Sequence, residues 1–255
     1  MDLEKFKGLS LKKADAAADI ELINQYSVKK LTPEEVYCFS LILCDNDIDR
    51  DGERFTDAAL EALAPLFLGK TGIMDHCWTA ENQFARLYYT ETEIIKDKKN
   101  ALGEPLHVLR GRAYMLKTEA NQPIIDAIEG GILKEVSVGC AMSRCTCSIC
   151  GDDYGTCGHC KGETYGTQVC YAELSAPVDA YEFSFVAVPA QPGAGVTKSV
   201  KNLDDAFEML MTADLSTHSE SVKRLMPRLQ MALADNAERA ERAAIRKNAE
   251  IFVNF

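Results

Sequence analysis

The sequence predicts an α+β fold with a mostly antiparallel sheet, and three observations predict it. Alternating or continuous apolar runs recur along the chain and read as strands. Amphipathic helical patterns interrupt them only a few times. The charged turn "KDKKNALGE" joins two such strands directly, as a hairpin does. The chain has 255 residues, 47% of them hydrophobic, which is enough for a substantial core in one or two domains.

Residues 1–33 read as a polar, partly helical lead-in. In "PEEVYCFSLILC" the run from Val36 to Cys44 is apolar on both faces and reads as a buried strand. "DNDIDRDGERFT" follows as a turn-rich loop. Thr56 can cap a helix through "DAALEALAPLFL", with Pro65 bending or shortening it and Gly69 stopping it. "TGIMDHCW" is a short strand ending near His76. "QFARLYYTETEII" and "PLHVLRGRAYML" are the hairpin strands. Thr118 opens a helix with Ile124, Ile125 and Ile128 on one face, closed by Gly130 and Gly131. A strand follows over 134–142, then a cysteine-rich insert over 143–170. "AYEFSFVAV" is the last strand of a body spanning 34–199, and "PAQPGAG" breaks regular structure. Over 200–255, Val222, Leu225, Met226, Leu229 and Leu233 mark a helical stripe, with Asp235/Arg239 and Glu238/Arg242 at ion-pair spacing. Its apolar face is thin, which suits contact with a partner or the body better than a separate domain.

The net charge of −11 disfavours broad binding to nucleic acid. No apolar run approaches the roughly 20 residues needed to cross a bilayer, and the N-terminal segment has no signal-type apolar core. The expected compartment is therefore reducing, where ten cysteines favour metal over disulfides.

In "EVSVGCAM", Val136, Val138, Cys140 and Met142 share a bulky apolar face, and Ser137, Gly139 and Ala141 share a small one. Ser137 on that small face has the surroundings a nucleophile needs. Its plainer reading is the polar face of a half-buried strand. A serine hydroxyl needs a base, and a histidine suits neutral pH. Of the four histidines, His76 is the candidate, at the end of an apolar segment; His107 sits within an alternating strand. The plainer reading of His76 is a satisfied core or surface residue. Glu182 lies between Tyr181 and Phe183 on a core strand, where a carboxylate is costly unless paired. An imidazole N–H would pair it and orient the ring. Asp179 is the runner-up, and an exposed outer-face glutamate is the plainer reading.

The insert contains Cys147-x-x-Cys150 and Cys157-x-x-Cys160, with a short glycine-bearing spacer. Such pairs hold a structural zinc ion from two tight turns. Cys157-x-His159 offers another last pair, so the fourth ligand is open between His159 and Cys160, with Cys145 and Cys170 in reserve. No βαβ pattern surrounds the pairs, which argues against a thioredoxin-like role. Asp47, Asp49, Asp51 and Gly52 imitate the start of a calcium loop, but its twelfth position is Ala58, which cannot ligate.

Four stretches, in order, carry a resemblance: "VYCFSLILCDNDIDRDGERFT", "GKTGIMDHCWTAENQFARL", "GRAYMLKTEANQPIIDAIEGGILKEVSVGC" and "DAYEFSFVAVPAQPGAGVTK". Over roughly residues 25–200 the chain resembles the prohead maturation proteases of tailed bacteriophages, related in fold to the herpesvirus assemblins. The resemblance implies a β-barrel-like core with surrounding helices and a serine–histidine active site. It carries the histidine of "MDHCW" onto His76 and the serine of "EVSVG" onto Ser137, and the acidic residue of the final strand onto Glu182. The cysteine insert looks like that of one phage subgroup, whose clusters tend to end in C-x-H, which favours His159. The implied substrates are scaffold, the N-terminal part of the capsid protein and the protease itself, inside the procapsid in the host cytoplasm. Self-association is open, and the helical tail lies outside the resemblance. The competing expectation is a non-enzymatic, zinc-bearing assembly protein with the same fold.

Overall fold

A computed structural model describes residues 16–197, which form an α+β unit of many strands and few helices. Residues 1–15 of the lead-in and the stripe expected over 200–255 lie outside the described residues. Helix α1 (Ala16–Ile23) buries Ile23 against Leu31, Val36, Tyr88 and Tyr114. Its Asp19 accepts from Arg112 at 2.6 Å and from the Tyr88 hydroxyl at 2.7 Å, so the acid is compensated inside. No described helix is long and apolar enough to cross a membrane.

Strand β1 (Val36–Asp45) is buried over its last seven residues, as its continuous apolar run predicts. After the acidic loop come β2 (Glu53–Phe55) and α2 (Asp57–Phe67). The Thr56 side chain accepts from the Ala59 amide at 3.1 Å and caps α2, while Leu60, Leu63 and Phe67 enter the core. Pro65 lies inside the last turn without ending the helix there. The Ala64 carbonyl, which no following turn can satisfy, accepts from Thr90 Oγ1 at 2.6 Å. Gly69, at φ +74°, turns the chain into β3 (Thr71–Met74).

The long hairpin is β4 (Ala85–Lys99) with β5 (Pro105–Leu116), so the lysine-rich part of the expected turn is strand and only 100–104 turns. Helix α3 (Gln122–Glu129) starts after Asn121 rather than at Thr118, whose carbonyl receives the Asn121 and Gln122 amides. Strand β6 (Val136–Cys147) runs into the insert, and β7 (Thr164–Tyr165) and β8 (Gln168–Val169) form a small ribbon there. Strand β9 (Ala172–Phe185) starts earlier than its alternation suggests and ends before Val188, and β10 (Gly195–Val196) begins on the last residue of the segment read as a break.

The sheet order is β10-β1-β5-β4-β3-β9-β2, with β6 pairing β9 off that path. Pairing is antiparallel except for β2 and β3, which run parallel to β9. The strand ladders do not close into the expected barrel. Between β10 and the residues before β6 there is one bridge, Glu135 to Gly195, with Val196 N–H donating to the Lys134 carbonyl at 2.7 Å. A two-residue β10 is too short to form a full seam. Phe39, Leu43, Phe67, Leu87, Phe183 and Phe185 anchor the core between the curled sheet and α2.

Candidate active site and metal centre

Strand β9 lies between β3 and β6, and that placement assembles three distant stretches. Ser137 is directly opposite Ser184, and Gly139 is opposite Glu182. Val136 and Val138 pair with Phe185 and Phe183 on the core face, so Ser137, Ser184 and Glu182 share the other face. Directly opposed residues hold their Cβ atoms about 5 Å apart. From the other side, β3 delivers His76 just beyond its end.

His76 is held by backbone as well as side chain. Asp75 and His76 both adopt φ +52°, a left-handed conformation that costs non-glycine residues on the order of 1–3 kcal/mol each. Three hydrogen bonds fix it: Asp75 N–H to the Phe185 carbonyl at 3.0 Å, His76 N–H to Ser184 Oγ at 3.0 Å and Cys77 N–H to the Met74 carbonyl at 2.9 Å. The His76 Nδ1 lies 2.8 Å from Glu182 Oε1. The Ser184 hydroxyl donates to Glu182 Oε2 at 2.7 Å. The Glu182 side chain is 3% exposed and that of His76 41% exposed, so the carboxylate is sealed in while the ring reaches solvent. With Nδ1–H donated to that carboxylate, Nε2 keeps its lone pair.

Glu182, not Asp179, therefore meets His76. Asp179 pairs with Lys70 at 3.1 Å, which holds its carboxyl below the usual range. His107 is buried elsewhere, 3.6 Å from Asp57. Ser137 stands beside this cluster, but among the described residues its hydroxyl makes no hydrogen bond to His76. Sequence reasoning missed Ser184, which ties the His76 backbone to the Glu182 side chain. Its only signal was sharing a face with Glu182 at the two-residue period.

The role of Gly139 also differs from expectation. A Cβ there would sit 2.4 Å from Glu182 Oε1, so the missing side chain makes room for the carboxylate. Gly139→Ala is expected to destabilise the chain by about 1–3 kcal/mol despite alanine's better strand propensity. A melting temperature equal to wild type would contradict this. Cys140, behind this face, has its thiol pushed up to about 11 by burial and then by the Glu182 charge, so it is protonated and inert at neutral pH.

At the far end of β6 lies the metal candidate. Ligand atoms of Cys147, Cys150, Cys157 and His159 lie within 4.8 Å of one another, the scale of a tetrahedral Cys3His site. Gly151 at φ +77° closes the first turn, with its N–H on the Cys147 carbonyl at 2.9 Å. The Ile149 amide points at Cys147 Sγ at 3.4 Å, as amides do toward metal thiolates. Desolvation opposes ionisation of Cys147, but the Cys150 and Ile149 amides and the neighbouring thiols outweigh it and pull the thiol down to about 6. The His159 ring rests edge-on against Tyr165, with centroids 4.5 Å apart. Cys160 is outside the group: it is exposed, and its amide is held by the Tyr165 hydroxyl at 3.0 Å. Cys170 Sγ lies 3.9 Å from Cys147 Sγ, a neighbour of the cluster rather than a member. Three soft sulfurs and one imidazole fit zinc.

No family model, curated protein or solved structure matches this chain.

Proposed function

We propose that this chain is a serine endopeptidase of the phage prohead maturation kind, acting on scaffold, capsid protein and itself inside the procapsid in the host cytoplasm. The observation that carries the reading is the hydrogen bond between His76 and a sealed Glu182, one strand away from Ser137. Burying a carboxylate is expensive, and pairing it with a half-exposed imidazole orients a base toward solvent. Ser137 Oγ attacks the scissile carbonyl while His76 Nε2 takes its proton and passes it to the leaving amine. Water then releases the acyl group by the same route. The mechanism requires the Ser137 hydroxyl to come within hydrogen-bond reach of Nε2, a contact that catalytic groups often complete only when substrate binds.

Cys147, Cys150, Cys157 and His159 would hold a zinc ion. With no open coordination position, that ion supplies structure rather than chemistry.

The second reading is a zinc-bearing assembly protein without activity. It draws on the unmade Ser137–His76 hydrogen bond and on Ser184, which gives Glu182 a structural partner of its own. Co-expression with the cognate capsid and scaffold proteins separates the two. Intact masses should show trimmed products with wild type and none with Ser137→Ala. Identical masses from both would end the proteolytic reading.

A further inference from the structure

A cavity of about 270 Å³ borders Ser137 but not His76 or Glu182. It lies on the core side of β6, between that strand, the acidic loop before β2 and the 190–194 segment. Along one edge β6 is paired with β9; among the described residues its other edge carries no strand ladder. Ser137 is thus the residue shared by the His76–Glu182 face and the cavity.

The lining has two parts. Leu43, Phe55, Val136, Val138, Met142 and Leu174 supply apolar wall. Three carboxylates, Asp49, Asp51 and Glu53, stand on the rim, with Gln191 as a neutral polar neighbour. Glu53 has a counter-ion, the Lys161 ammonium at 2.6 Å. Among the described residues Asp49 and Asp51 make no direct ion pair; Lys161 acts on Asp49 as well as on Glu53, and Arg50 turns its guanidinium to the Pro189 carbonyl, so the three carboxylates leave the rim net negative. Asp49 is partly buried, and burial pushes its carboxyl up despite the backbone amides of Glu53 and Asp51 that it accepts. A partly desolvated carboxylate without a direct ion pair, beside an apolar cavity, is favoured by an incoming cation. A long side chain with an apolar stem and a cationic tip matches both parts of the lining.

We propose that this cavity is the specificity pocket of the site and takes a lysine or arginine side chain lying within two residues of the scissile bond. This rests on the proteolytic reading for its place in the reaction, though not for binding itself. The peptide crosses the free edge of β6, its carbonyl at Ser137 and its basic side chain dropping to the core side. Asp49 and Asp51 then meet the cation.

The test uses full-length protein and fluorescent pentapeptides that differ only at the central residue: lysine, norleucine or glutamate. Binding to the Ser137→Ala variant is read by anisotropy, and cleavage by wild type is read by mass. Lysine should exceed norleucine about tenfold, and glutamate by more. Asp51→Asn and Asp49→Asn should each shrink the lysine preference. Asp51 is exposed, and the asparagine oxygen at 49 can still accept the loop amides, so neither change requires the loop to refold. Equal binding of all three peptides would overturn the proposal. Fluorophosphonate labelling of Ser137 separates the two readings: lysine preference without labelling sinks the protease and leaves the pocket, and labelling without charge preference does the reverse.

Discussion

If the chain is the proposed serine endopeptidase, replacing Glu182 by glutamine is expected to lower peptide hydrolysis about 10⁴-fold while leaving the fold intact. The side chain keeps its size and its burial, but its amide cannot serve both partners as the carboxylate does. One oxygen now receives His76 Nδ1–H and the other receives the Ser184 hydroxyl. If the amide nitrogen faces Ser184, that hydroxyl meets two donors, because its oxygen already accepts the His76 backbone N–H. The amide oxygen then still receives Nδ1–H and the tautomer survives, but a neutral amide replaces the charge that stabilises the imidazolium. If the amide flips, its NH2 faces Nδ1 and forces the imidazole proton onto Nε2, which removes the lone pair needed to take the proton from Ser137. The flipped arrangement disables the base, and in both the imidazolium loses its counter-charge. Single-turnover rates and melting curves on the same preparation check this: activity within tenfold of wild type would remove Glu182 from the mechanism. The double variant Ser137→Ala with His76→Ala should be no slower than Ser137→Ala alone, since the two act as one unit.

Part of this site was legible in the sequence for a physical reason. The period of a strand assigns faces, so Ser137 and Glu182 each emerged as polar positions on otherwise apolar strands. Register between strands is not local. Nothing in the sequence says that Ser137 stands opposite Ser184, or that Gly139 is needed to admit a carboxylate from another strand. The early half of β9 was hidden because Ala176, at φ +53°, and Pro177 break its alternation, next to a register shift against β6 between Pro177 and Asp179. Strands β2 and β10 are three and two residues long, so they carry too few positions for any period to be read. The choice of His159 over Cys160 was likewise undecidable from spacing. It depends on which way one turn points its side chains, and Tyr165 fixes that by holding the Cys160 amide on one side and packing the His159 ring on the other.

Removing the metal is expected to unfold the insert before the body. Between Ser148 and Cys170 the described backbone has only the two-residue ribbon of β7 and β8, and a ribbon that short is not stable alone. Its turns are held by short-range hydrogen bonds such as the Thr156 and Cys157 amides on the Asp153 carbonyl, both at 3.1 Å. Structural zinc contributes on the order of 10 kcal/mol at such sites, more than these contacts supply together. Chelation should therefore release one zinc per chain and expose 148–170 to proteolysis, with the body's melting transition shifted less than the insert's. Cys157→Ser should lower metal content strongly, whereas Cys160→Ser should leave it unchanged, because only the first thiol belongs to the cluster. The consequence reaches the site through Lys161, which sits in the insert yet binds Glu53 and packs its stem under Gly52, where an added Cβ would meet it at 3.0 Å. Without the metal, that ammonium leaves the rim and the acidic loop loses its prop. Metal-free protein should then bind peptides with altered charge preference while His76 and Glu182, anchored on β3 and β9, stay paired. An insert that remains protease-resistant after metal loss would show that ordinary packing, not coordination, holds it.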